Sequence, residues 1–135
     1  MNNGFIIRAK LPSLNEYTAA CRANKYEGAK FKRSIEDLIG WSIKASRTVK
    51  KPERAVILRI EWHERTKKRD ADNIASAKKF ILDALVKQGI LENDSRRYVK
   101  GFVDLIVDDA EDFVVVEIKE IADGCDPPRK RGVNA

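Results

Sequence analysis

At 135 residues with a formal net charge of +6, the chain is long enough for one domain with a sizeable core and too short for two. Its 43% hydrophobic and 36% charged residues fit a soluble globular protein, no apolar run approaches the ~20 residues of a membrane helix, and the apolar stretch at residues 5–7 is too short for a secretory leader, so a cytoplasmic location is expected. Cys21 and Cys125 are far apart without CxxC spacing and His63 is the single histidine, which argues against a disulfide scaffold or a zinc site and leaves any metal to carboxylates.

Residues 4–10 alternate, with Phe5, Ile7 and Ala9 on one side, as a strand does. Leu11-Pro12-Ser13 ends it, and residues 15–27 read as loop or a short helix. Residues 30–50 predict the first long helix, its core stripe formed by Phe31, Ile35, Leu38, Ser42 and Ala45 and widened by Trp41. Residues 55–63 alternate again, placing Val56, Leu58, Ile60 and Trp62 on one face.

A second helix is expected from Asp72 to about Lys87, capped by Asp72, stopped at Gly89, and buried along Ile74, Ala77, Ile81 and Leu85. Its other face carries Asp72, Ser76, Lys79 and Asp83 at steps of four, three and four. Two β-rich segments follow, residues 98–107 and 113–121, with residues 108–112 as a hairpin turn between them. The order β, α, β, α, β, β predicts an α/β (α+β) fold, a small mixed sheet of about four strands with two main helices on one face. Residues 1–122 would form one domain and residues 123–135 an aperiodic tail.

Divided by position, the charge is uneven. Residues 1–69 hold 17 Lys/Arg against 7 Asp/Glu, a net +10, whereas residues 70–123 hold 7 against 13, a net −6. Basic residues suit a polyanion, and clustered acids beside it suit a divalent cation. Asp70 and Asp72 stand one residue apart where an extended segment meets a helix, and Asp94 lies just past that helix. Hard oxygen ligands without histidine suit Mg²⁺ or Mn²⁺, and such an ion polarises phosphodiesters. Lys79, on the same helix face, is placed to neutralise phosphate charge. Asp94 can join the other two within one chain only if its loop folds back beside the helix; otherwise a second chain supplies it. Taken singly, each residue has a plainer role: Asp72 a helix cap, Asp70 and Asp94 turn residues, Lys79 with Asp83 a surface ion pair, and the basic run a solvated loop.

In combination, Arg69-Asp70-Ala71-Asp72-Asn73, Lys79, Asp83-Ala84-Leu85, Gly89 and Asp94 resemble the R-D-x-D-N…K…D-A-L…G…D core of the RusA endodeoxyribonucleases, Holliday junction resolvases of bacteria and their prophages. Leu11-Pro12-Ser13-Leu14-Asn15 resembles the P-x-S-x-N element of the same family. The resemblance implies a homodimer of mixed α/β subunits that uses Mg²⁺, or Mn²⁺, to nick four-way branched DNA symmetrically. It implies Asp70, Asp72 and Asp94 as metal-binding acids and Lys79 as the catalytic lysine. Two departures stand out: Asn93-Asp94 replaces a pair of adjacent acids, and the interval from Asp72 to Asp83 is about three residues longer than in short members. Lys79, not Lys78, keeps the four-residue step to Asp83.

An isologous dimer presents two equivalent sites to a two-fold junction. Lys67, Lys68 and Arg69 would hold the flanking backbone, with Lys30, Lys32 and Arg33 on the first long helix as further phosphate contacts. The alternatives from sequence are a non-catalytic DNA-binding protein of the same fold, or a nuclease that prefers forks or flaps.

Overall fold

The computed structural model describes residues 3–121. Eight elements follow in order: β1 (Gly4–Ile7), α1 (Leu14–Ala23), α2 (Lys25–Ser46), β2 (Val56–Glu64), α3 (Ala71–Ala75), α4 (Lys78–Lys87), β3 (Val99–Asp108) and β4 (Phe113–Glu120). They form an α+β fold around one four-stranded mixed sheet in the order β1-β4-β2-β3. The tail expected at residues 123–135 lies outside the described residues.

β2 is central and shows why the sheet has two different faces. Its residues alternate strictly between buried and half-buried, and Val56, Leu58, Ile60 and Trp62 point into the core. β1 adds Phe5 and Ile7 to that face, and β4 adds Val114, Val116 and Ile118. Over them lie Ile35, Ile39 and Ile43 of α2 and Phe80, Ile81 and Leu85 of α4. The predicted stripe Ile74, Ala77, Ile81 and Leu85 is buried throughout.

The stripe predicted on α2 is corrected. Ile35 is buried as expected and Phe31 packs against the core, but from there the buried residues are Ile39 and Ile43 in place of Leu38 and Ser42, and Leu38 is left exposed. Trp41, expected in the core, is 72% exposed and lies beneath the Lys44 ammonium. The three isoleucines fall at i, i+4 and i+8 and make one continuous ridge toward the sheet, which leaves Trp41 off the buried face.

The ambiguous segment after Pro12 is helical. The Ser13 hydroxyl caps α1 by accepting the Glu16 N–H at 3.2 Å. Asn24 ends α1 and caps α2 by accepting the Glu27 N–H at 2.7 Å. Gly28 is required at this corner, since a Cβ there would stand 2.6 Å from Cys21 Sγ. α2 therefore begins earlier than predicted, and it stops at Arg47 in the left-handed region.

The predicted hairpin is overturned. β3 pairs parallel with β2 on one side, β4 pairs antiparallel with β2 on the other, and β3 and β4 do not touch as strands. Residues 109–112 arch over the end of β2 instead. The Asp109 N–H bonds the Glu64 carbonyl at 3.0 Å, and the Asp112 carboxylate accepts the Arg65 N–H at 2.7 Å. Such a link must span two inter-strand spacings, about 10 Å, which four residues cover easily.

A candidate nuclease site at the start of α3

The segment between β2 and α4 is held by a buried ion pair. Glu64, the last residue of β2, takes the Arg69 guanidinium at both oxygens, at 3.2 Å and 2.8 Å. The two side chains are only 5% and 12% exposed. A third Arg69 nitrogen donates to the Leu11 carbonyl at 3.1 Å. The charge of Arg69 is thus turned inward, where it fixes the backbone just before Asp70 and is not presented to solvent as the sequence reading had it.

The same few residues tie in the N-terminal element. The Leu14 N–H donates to the Ser76 hydroxyl at 3.1 Å, and that hydroxyl donates to the Asn73 carbonyl at 2.6 Å. Residues 11–15 and 69–76, the two segments that carry the family resemblance, therefore meet across about sixty positions of sequence.

One continuous helix from Asp72 is corrected to two. Asp70, in extended backbone, occupies the N-cap position of α3, but its carboxylate makes no capping bond. Ser76 and Ala77 form a turn, and α4 restarts at Lys78. The extra residues between Asp72 and Asp83 thus fall beside a break. Gly89, at φ +76°, ends the α4 region as expected.

Asp70 and Asp72 are exposed, and neither carboxylate is hydrogen-bonded or ion-paired among the described residues. Beside them Asn73 Oδ1 is buried without a hydrogen-bond partner. Sequence reasoning quoted Asn73 in the motif but gave it no role; the burial of its Oδ1 next to exposed Asp72 is visible only in three dimensions. Hard oxygen atoms left unspent at one helix start fit a divalent cation by their chemistry. Among the described residues no group of three or more His, Cys, Asp or Glu side chains is gathered to hold a metal ion.

Asp94 has come back toward the start of α4. Its carboxylate lies 3.3 Å from Lys79 Nζ, so the loop after Gly89 folds beside the helix. Lys79 also pairs with Asp83 at 3.2 Å, and Asp83 with Lys32 of α2 at 3.5 Å. These side chains line an open groove of about 380 Å³. The hydrogen bonds of Asp83 and Asp94 raise the Lys79 pKa above its ordinary value, so Lys79 is a cation at neutral pH. Lys78 is differently placed: it pairs with Asp104, which also accepts the Trp62 indole N–H at 2.9 Å, and it sits 4.6 Å over the Phe102 ring. Of the two adjacent lysines, only Lys79 faces an acid of the motif.

The proposed phosphate contacts divide in the same way. Lys30, Arg33 and Lys68 are exposed and carry no ion pair among the described residues. Lys67 is 83% exposed, 3.8 Å from Asp108. Lys32 shares its charge between Glu36 and Asp83.

The family model for endodeoxyribonuclease RusA matches residues 2–119. The chain belongs to the RusA endodeoxyribonuclease family. RusA proteins resolve Holliday junctions, act on branched DNA and in general require a divalent metal ion. The RusA match spans both the Pro12-Ser13 element and the Asp70–Asp94 region. A search of curated proteins found no match to the chain. No helix among the described residues is long and apolar enough to cross a membrane.

Proposed function

We propose that the chain is a metal-dependent, structure-selective endodeoxyribonuclease that resolves four-way junctions by paired symmetric nicks, working as a homodimer with Asp70, Asp72 and Asp94 as its acids and Lys79 as its catalytic lysine. The observation that carries this reading is the pair of unspent carboxylates at a helix start clamped by Glu64 and Arg69. A protein that only bound DNA would gain nothing from free anions set beside a polyanion, whereas a nuclease needs the cation they hold.

Mg²⁺, with Mn²⁺ as a chemical substitute, takes one or two carboxylates, keeps several waters and completes its shell with substrate phosphate. Asp70 and Asp72 would begin such a site. Asp94 would enter it by exchanging its contact with Lys79. Bound there, the ion would polarise the scissile phosphate and lower the pKa of an attacking water.

Lys79 acts as a cation and not as a base, because its neighbours hold it protonated. Its charge faces the negative charge that builds on the phosphate during cleavage. Asp83, which keeps its contact with Lys79 when Asp94 leaves, is a positioning residue. Lys30, Arg33, Lys67 and Lys68 supply sequence-independent contacts to the phosphates of the arms.

The test is cleavage of a synthetic four-way junction with Mg²⁺ by the wild type and by Asp72→Asn. The expected result is cleavage by the wild type alone, with junction binding retained by the variant in a gel-shift assay. Binding without cleavage by both proteins would replace the nuclease reading with that of a junction-binding protein.

A further inference from the structure

We propose that Asp104 on β3 is a positioning residue for Lys79: by way of Lys78 it fixes the first turn of α4, and so keeps the Lys79 ammonium on the acid side of the helix. The catalytic half of this role rests on the nuclease reading above; the anchor itself does not.

α4 opens against the usual preference of a helix start. Its first two residues are Lys78 and Lys79, and its first turn holds no acid, although the positive end of the helix dipole disfavours cations there. Lys79 has Asp83 and Asp94 to offset this. Lys78, about 100° around the helix from its neighbour, turns to the sheet. There its ammonium meets the Asp104 carboxylate and lies 4.6 Å over the Phe102 ring. Two lysines adjacent in sequence therefore grip two different elements, β3 and the loop after Gly89.

The backbone leaves this grip something to decide. Across the break at Ser76 and Ala77, the Lys79 N–H reaches the Ser76 carbonyl at 3.5 Å and the Ala77 N–H reaches the Ile74 carbonyl at 3.3 Å. Both are longer than a well-formed bond of about 3.0 Å, so the direction of α4 is not carried rigidly from α3. Asp104 is a firm support for it. The residue stands level with Ile60 in the register of β2 and β3, on the face toward the helices. Its Oδ1 accepts the indole N–H of Trp62 at 2.9 Å, and Trp62 is locked in the core at 1% exposure. One carboxylate oxygen is thus tied to the core while the other holds Lys78.

Lys78 is not itself placed to meet a phosphate. Its side chain is 25% exposed against 52% for Lys79, and its charge is already met by Asp104. The anchor would matter most when Asp94 leaves Lys79, because Asp83 lies one turn along the same helix and cannot by itself fix where that helix begins.

Two measurements on the full-length protein test this. Amide hydrogen exchange of residues 78–82 reads the anchor. Asp104→Asn keeps the shape and an acceptor for Trp62 but drops the charge, and Lys78→Met drops the ammonium; each should speed exchange in that turn about tenfold, with β2 and β4 amides unchanged. Single-turnover cleavage of a four-way junction in Mg²⁺ reads the role. Both variants should lower the rate about tenfold, the double variant no further, and junction affinity in gel shifts should match the wild type. The decisive arm is the Lys79→Met background, where adding Asp104→Asn should change the residual rate by less than about twofold, because a residue that acts through Lys79 has nothing left to act on. A merely structural role would multiply into that background. Unchanged exchange, rate losses that multiply in Lys79→Met, or a loss with Lys78→Met and none with Asp104→Asn would overturn the proposal, the last by making Lys78 a contact to substrate. A wild type that does not cut would overturn the nuclease reading and the catalytic half with it, while faster exchange in the variants would still establish the anchor.

Discussion

Replacing Glu64 by Gln removes the charge that satisfies Arg69 while keeping the shape. In the native protein the carboxylate meets the guanidinium at 3.2 Å and 2.8 Å, with both side chains nearly buried. Arginine cannot escape the loss by giving up its proton, since its pKa lies above ~12. The variant must therefore bury an uncompensated charge, which costs about 3 kcal/mol. The contact to the Leu11 carbonyl remains, and Lys10, 3.9 Å from the same carboxylate but 39% exposed, simply turns to solvent. With a urea slope of about 1.5 kcal/mol/M for a domain of this size, the unfolding midpoint should fall by about 2 M. Junction cleavage should fall as well, because the backbone ahead of Asp70 loses its anchor. Glu64→Leu with Arg69→Met should recover most of the stability, since an apolar pair leaves nothing unpaired, and should not recover cleavage to the wild-type rate. A midpoint shift below about 0.3 M in Glu64→Gln would refute the claim that this pair holds the site's entry strand.

Lys79→Met should lower the cleavage rate roughly a hundredfold with junction affinity nearly unchanged, measured by single-turnover kinetics beside gel shifts. Because Asp83 and Asp94 raise the Lys79 pKa, the stability it contributes is complete below its ordinary value of 10.5 and is lost as pH rises through the raised one, so alkaline unfolding of Lys79→Met should lack that component. Gly89→Ala should cost about 1 kcal/mol and lower the melting temperature by about 4 °C, since φ is +76° and an added Cβ meets nothing within 4 Å. His63 bridges Glu61 at 3.0 Å and Asp109 at 2.8 Å. Bonding to His63 lowers the Asp109 pKa, while Glu61 is lowered first by Arg59 and then by His63. Both contributions are present above the ordinary carboxylate values and fade as pH falls through the lowered ones. His63→Gln should therefore move the Asp109 titration up toward 3.8 and Glu61 less, as read by carboxyl carbon NMR.

The elements that alternate or repeat strongly were legible from residue types alone. Val56, Leu58, Ile60 and Trp62 announce β2, and Ile74, Ala77, Ile81 and Leu85 keep one buried face even across the turn at Ser76. Strand partners were not legible, because alternation fixes which face a residue takes and is silent on which neighbour it meets. A short polar link between two strands reads as a hairpin, and here β2 passes between them. The break before α4 was hidden because no proline or glycine marks it; Ser76 is drawn instead to Asn73 and Leu14.

At the candidate site, the identity and order of Asp70, Asp72, Lys79 and Asp94 could be read, but not whether the Asp94 loop folds back beside its own helix or a second chain supplies that acid. The inward role of Arg69 could not, because a basic run gives the same signal whether its last member faces solvent or a buried glutamate five positions earlier in sequence. Glu64 ends a strand whose alternation turns it toward the core, and that parity was the available clue. The uneven charge also gains a location: the unspent acids sit at the start of α3, while exposed Lys30 and Arg33 lie on α2.

The most direct test of the central claim is a map of nick positions on all four strands of a synthetic junction, with a linear duplex of the same sequence beside it, in Mg²⁺. The expected result is two nicks, symmetrically placed on opposed strands of the junction, little cutting of the duplex, and none of either after chelation. Equal cutting of junction and duplex, nicks spread over all four strands, or cleavage that persists without a divalent ion would contradict it.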